Sequence, residues 1–266
     1  MRRSQNEREK AWCLRVQERA IAQTNAANGT GSQAKRELAR VKAIPSAQTE
    51  NLDLVDQSTY IRSMPDDTRS RLVFAALQLF LEKGYGATSI ADILKAAGVN
   101  SGSLYYFFPT KQDLLLEVLR QYRDGIGPML LAPAWEGVSD PIERVFALLA
   151  RYRQALTSTD CLYGCPIGSL ALELHEPDPP VRELLATNFD GWVAAIERCY
   201  VEAGARLPRD LDRRGLAVST LTTMEGGVMQ ARTHRSLGPF DTSVATLRDY
   251  VTRLERDAKN QRRKKS

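Results

Sequence analysis

Histidine and cysteine are scarce in this chain of 266 residues, which holds two of the first and four of the second. His175 and His234 leave little room for His-dependent catalysis, and neither a G-x-S-x-G elbow nor a phosphate-cradling glycine loop is present. Cys13, Cys161, Cys165 and Cys199 are too few and too scattered for a disulfide framework. The C-x3-C pair at Cys161 and Cys165, with His175 ten residues on and His234 far away, has no recognised zinc spacing, so neither a metal nor a cofactor is expected. The acids around Glu173 and Glu176 have no partner pattern and read as solvated surface. No run approaches the roughly 18 apolar residues of a membrane span, and the opening MRRSQNEREKAW lacks the apolar stretch of a signal peptide. The expectation is a cytoplasmic protein with no membrane partner. Period-two alternation is also nearly absent, which excludes an extensive sheet and leaves an all-α fold.

What is present is enough apolar material for one large core or two modest ones, with hydrophobic residues at 43%. The formal net charge of +5 suits a polyanionic partner, but its distribution says more. Residues 1–64 hold 11 Lys and Arg against 7 Asp and Glu, whereas residues 65–266 hold 26 against 25. The excess therefore gathers in the leader and in a basic tail at 259–266, with Lys259, Arg262, Arg263, Lys264 and Lys265. That tail either adds non-specific attraction to phosphates or stays solvated. The leader 1–64 is polar and reads as disorder with transient helix. Met64 stands directly before PDDTRSRL, so a second reading makes it the true start.

From Asp66 the periodicity is helical, with Leu72, Ala75, Ala76, Leu79 and Phe80 on one face and Gly84 as the stop. Thr88 is placed to cap a short helix, SIADILKAA, which Gly98 breaks. Asn100 caps SGSLYYF, Pro109 closes it, and Thr110 opens a longer helix. Asp140 before Pro141 marks a further start, followed by helical blocks at 168–175, 180–203, 210–236 and 242–257.

The segment TSIADILKAAGVNSGSLYYFFPTKQDLL, residues 88–115, carries the function. A helix of two turns, a tight turn at Gly98 and a second short helix have the geometry that sets a recognition helix into the major groove of double-stranded DNA. Asn100, Ser101, Gly102, Ser103, Tyr105 and Tyr106 fall on its outward side or N-terminus, where short polar groups and bare amides approach phosphates and base edges. Lys111 is placed to hold a phosphate as a point charge, and Thr88 to do the same with its hydroxyl and amide.

At these residues the chain resembles the TetR family of bacterial transcriptional regulators. Thr88, Ile90, Ala91, Ala97, Gly98, Val99, Gly102, Leu104, Tyr105, Phe108, Lys111 and Leu114 match that family's hallmark in one ungapped run. Asn100 stands where the family usually has Ser, and the run Tyr105–Phe108 lacks its frequent His. The resemblance implies a helix-turn-helix DNA-binding domain at 65–112 and a helical effector-binding and dimerisation domain at 113–258. It implies a homodimer on a palindromic operator, formed through 210–236 and 242–257 and released by a small-molecule or electrophile effector. Ala217, Ser219, Thr222, Thr223, Gly226 and Gly227 are the small residues that would let those helices approach a partner, or else pack within one subunit. A protein-interaction adaptor and an effector-blind architectural DNA-binding protein are the competing readings.

The element CLYGCPIGSLALEL, from Cys161, is similar to one in a branch of these regulators that senses electrophiles through the cysteine. Cys165 before Pro166 at a helix start would have its thiol acidified by free amides, with Cys161 as resolving partner; the alternative is a buried filler. Trp135, Trp192, Phe189, Met224 and Met229 are candidates to line an effector pocket, or else plain core.

Overall fold

The computed structural model describes residues 67–264, and all regular structure among them is helical. The expectations placed on the leader, on Met64, on Cys13 and on Lys265 lie outside the described residues.

Helix α1, Thr68–Lys83, is capped by Asp67, whose carboxylate accepts from the Ser70 amide at 2.7 Å, and ends at Gly84 with φ 86°. Helix α2, Ile90–Ala97, is capped by Ser89 in a reciprocal box with Asp92, and stops at Gly98 in the left-handed conformation, φ 64°. Helix α3, Ser101–Phe107, begins at Asn100, whose side chain accepts from the Ser103 amide at 2.9 Å. Helix α4, Lys111–Ile126, opens with a second reciprocal box between Thr110 and Asp113. Each start is thus written locally, as an oxygen-bearing side chain placed before orphan amides.

After α4 the backbone widens into a π turn at Gly127–Leu131, where Pro128 has no amide to give, and then forms a short α5, Ala132–Trp135. Helix α6, Pro141–Ser158, starts at Asp140 as expected. Helices α7, Pro166–Glu173, and α8, Pro179–Glu202, both carry proline in their first turn. Helix α9 spans Arg213–His234, and α10 spans Gly238–Arg263. The latter corrects two boundaries. It starts before Thr242, because Pro239 fits a first turn rather than breaking it. It also runs through the supposed basic tail, so Lys259, Arg262 and Arg263 belong to its final turns, where cations suit the dipole.

One continuous set of buried side chains joins the helices. Leu72, Ile93 and Leu104 fill it beneath α1–α3, and Leu114, Leu119, Leu148, Trp192, Tyr200 and Phe240 fill it between α4 and α10. Three of the buried polar side chains are bonded within the core: the Tyr200 hydroxyl lies 2.9 Å from that of Thr220, and the Asn188 amide donates to the carbonyls of Leu119 and Leu184. Arg153–Asp241, Arg248–Glu143 and Arg206–Glu255, each at 2.7 Å, tether α10 to α6 and to the turn after α8. Their partial exposure limits each to about 1 kcal/mol or less.

Candidate functional site

The two faces of α3 differ sharply. Leu104 is fully buried and Phe108 nearly so, with the Arg69 guanidinium of α1 over the Phe108 ring, which presses the helix onto α1. On the other side Ser101 and Gly102 are exposed, Tyr105 is 53% exposed and Tyr106 is 81% exposed. The two tyrosines present adjacent aromatic surface to solvent, with the Tyr106 ring packed edge-on against that of Phe107, centroids 4.9 Å apart. Asn100 and Ser103 are occupied with each other: the Asn100 side-chain oxygen accepts both the Ser103 amide and its hydroxyl, at 2.9 and 3.1 Å. Ser101, Gly102, Tyr105 and Tyr106 are therefore brought to one surface, while Asn100 and Ser103 shape the helix end beneath it.

Thr88 is a correction. It is 1% exposed, and its hydroxyl donates to the carbonyls of Gly84 at 2.7 Å and Leu79 at 3.2 Å. Its amide donates to the Tyr85 carbonyl at 3.3 Å. Neither group is presented to a phosphate, and the cap of α2 is Ser89, one residue on. The role of Thr88 is to bolt the turn after α1.

Lys111 also touches this turn. Its ammonium donates to the Tyr85 carbonyl and lies 4.1 Å from the centre of the Tyr85 ring. Partial burial lowers its pKa from the ordinary lysine value, and the nearby Glu173 carboxylate opposes that shift. One N–H being spent on Tyr85 leaves two others for a phosphate.

Glu173, read as solvated surface from the sequence, is exposed as expected and in addition holds the turn after α1. Its two carboxylate oxygens accept from the amides of Tyr85 at 2.9 Å and Gly86 at 2.6 Å. A Cβ on Gly84 would come within 2.7 Å of one of those oxygens. No local signal carries this contact, because it joins residues 87 and 88 positions apart.

Behind the turn lies an open cavity of about 1170 Å³ between the end of α1, α7, α8 and the outward side of α9. Phe189 and Met229 line it as anticipated, together with Cys165, Glu173 and Glu225. Trp192, Met224 and Trp135 do not. Trp192 is 2% exposed and packs edge-on against Tyr152, Met224 is fully buried, and the Trp135 indole donates to the Arg144 carbonyl at 2.9 Å. A bulky indole fills core volume that a mobile ligand cannot hold at all times, which removes Trp192 from the effector-contact set.

The acidified thiol is not found either. Cys165 and Cys161 are both free and each 4% exposed. Burial pushes the Cys165 thiol far above its ordinary range, with a further rise from the Glu225 carboxylate; the amides of Gly168 and Ile167 pull the other way and lose. Burial likewise raises Cys161, assisted by Asp160 and opposed by Arg235. The amides at the helix start act in the acidifying direction and are outweighed by desolvation. Glu225 is itself raised by burial, and its Oε1 is enclosed with no hydrogen-bond partner among the described residues. No group of three or more His, Cys, Asp or Glu side chains is arranged to hold a metal ion among the described residues, and no described helix is long and apolar enough to cross a membrane.

Comparison with known proteins agrees with this geometry. Residues 72–118 match the family model described as bacterial regulatory proteins, tetR family, and residues 141–246 match that of the LmrA/YxaF-like transcriptional regulator C-terminal domain. The chain is 33% identical over 189 residues to an HTH-type transcriptional regulator of Mycobacterium tuberculosis, covering 69% of this chain and 93% of the relative. It is 29% identical over 181 residues to the HTH-type transcriptional repressor DhaR of a Mycobacterium species, covering 67% and 89%. The crystal structure of a regulatory protein TetR from Rhodobacter sphaeroides is similar with a TM-score of 0.62 and 26% identity, over 68% of this chain and 96% of that one.

Proposed function

The chain belongs to the TetR family of bacterial transcriptional regulators, and from that premise we propose that it is a homodimeric repressor, acting in the cytoplasm, that grips a palindromic operator with α3 of each subunit and lets go when a small molecule fills the cavity. The observation that carries this is the exposed surface of Ser101, Gly102, Tyr105 and Tyr106 on a helix whose opposite side is buried. Hydroxyls and aromatic edges at a helix N-terminus serve both phosphate positioning and base-edge contact. Lys111, with N–H groups to spare, supplies a phosphate contact at the start of α4.

The dimer surface is the outward side of α9. Val218 and Met229 are 46% and 49% exposed, and Thr222, Gly226 and Thr233 share their face at helical spacing. A two-fold partner there would also roof the open side of the cavity, since the same residues line it. Two small residues expected in this role serve the subunit instead: Ala217 is fully buried, and a Cβ on Gly227 would meet the Phe240 ring of α10 at 3.0 Å.

Selection from a random DNA pool with the purified full-length chain at fixed salt tests the reading. Enrichment of one palindrome supports a dimeric operator reader. Absence of enrichment favours the protein-contact adaptor, and binding that ignores sequence favours the architectural protein.

A further inference from the structure

We propose that Glu173 is the positioning residue through which the cavity and the DNA-reading head feel each other. The inference rests on the ligand-gated reading above and names the contact that does the gating.

Four observations meet at one turn, Gly84–Thr88. First, the carboxylate of Glu173 ends α7, where its charge is unfavourable for its own helix, because the C-terminal end of a helix dipole is negative. Its interactions lie elsewhere, in two charge-assisted hydrogen bonds to the amides of Tyr85 and Gly86. Second, the same turn is also held by Lys111, which donates to the Tyr85 carbonyl and covers its ring. Third, the Thr88 hydroxyl, immediately before the cap of α2, closes the turn on the Gly84 carbonyl and ties it to the Leu79 carbonyl of α1. The turn is therefore a stiff junction whose displacement must carry α2, and with it α3. Fourth, α7 forms one wall of the cavity, and Glu173 is part of that wall together with Phe80 and Gly84 from the head.

Any occupant that displaces α7 must stretch or break these two bonds or drag the turn along. Packed helices shift as units rather than deforming continuously, so the two bonds transmit a step. By linkage the converse holds equally: operator binding at α3 must alter the freedom of α7.

A second route exists and competes. Helix α4 runs from the head into the C-terminal helices, is tied to α1 by Arg69–Glu117 at 2.9 Å, and offers the Leu119 carbonyl to Asn188 of α8. Coupling through α4 would not require Glu173.

Amide hydrogen exchange on the full chain, with and without the operator that the wild type selects, separates the two. In the wild type, operator should slow exchange across Pro166–Glu173 by about fivefold or more. In Glu173→Ala the Tyr85 and Gly86 amides should exchange faster without DNA, operator should still protect α3, and the response of α7 should shrink to less than about twofold. Gly86→Ala is the companion variant: its Cβ would stand 3.1 Å from the Glu173 carboxylate and crowd the contact from the head side. It leaves α7 untouched if Glu173→Ala folds poorly. An α7 response that is equal in the wild type and both variants assigns the coupling to α4 and overturns the proposal, as does an α7 that ignores operator in the wild type while α3 is protected. A chain that selects no DNA refutes the regulatory reading itself, and this inference falls with it.

Discussion

Replacing Thr88 by valine preserves shape and deletes a buried hydroxyl whose two acceptors are the partly buried carbonyls of Gly84, at the start of the turn, and Leu79, within α1. Stranding buried acceptors costs about 1–3 kcal/mol, and the urea midpoint of Thr88→Val should fall accordingly. An unchanged midpoint would mean that the hydroxyl is not bolting the turn. Tyr106→Ala should do the reverse. The side chain is 81% exposed, so stability should stay within about 0.5 kcal/mol while affinity for the selected operator drops. Equal affinity in a binding titration would remove Tyr106 from the DNA surface. At Cys165 the balance of burial against helix-start amides favours the neutral thiol. Iodoacetamide at neutral pH should therefore leave the Cys165 peptide unmodified in the native protein and alkylate it in denaturant. Rapid labelling of the native protein would restore the reactive-thiolate reading.

At the scale of an element, the turn between α2 and α3 depends on Gly98. It sits at φ 64°, and a Cβ added there meets nothing within 4 Å, so the demand is conformational and not one of space. Gly98→Ala should cost about 1 kcal/mol, and Gly98→Asn less, because asparagine tolerates the left-handed region. Thermal unfolding of the two variants checks the order, and an alanine variant no weaker than the asparagine one would contradict it. The caps obey the same local logic. Asn100 replaces the serine common in related proteins and still satisfies the first turn of α3, so that departure is mild in the structure.

For the whole molecule, the packing of α9 against α10 distinguishes residues that serve the subunit from those that face outward. Gly227 faces Phe240, so Gly227→Ala should overpack the subunit and lower its stability by about 1–3 kcal/mol. Met229 faces outward, and Met229→Glu should leave the fold intact while halving the sedimentation mass and weakening operator binding by an order of magnitude or more. A Met229→Glu variant that sediments as the wild type would move the dimer surface away from α9.

Features that depend only on neighbours along the chain were legible before any tertiary contact. Gly84 and Gly98 as stops, Asn100, Thr110 and Asp140 as starts, and Leu104 as the anchor of α3 all appear where spacing placed them, because caps and amphipathic faces are settled within a turn or two. The choice of Ser89 over Thr88 as cap was lost at this level, since both residues can cap and only the burial of Thr88 and its bonds to Gly84 and Leu79 commit it elsewhere. The tertiary structure alone decided the fate of Glu173, whose acceptors and donors are brought together across 87 and 88 positions. It also decided that Cys165 is a buried thiol, that Trp192 is core and that Phe189 and Met229 border a cavity. Each of these depends on which helices lie side by side and how much water they exclude, and desolvation is a property of the assembled interior that no short stretch of sequence contains.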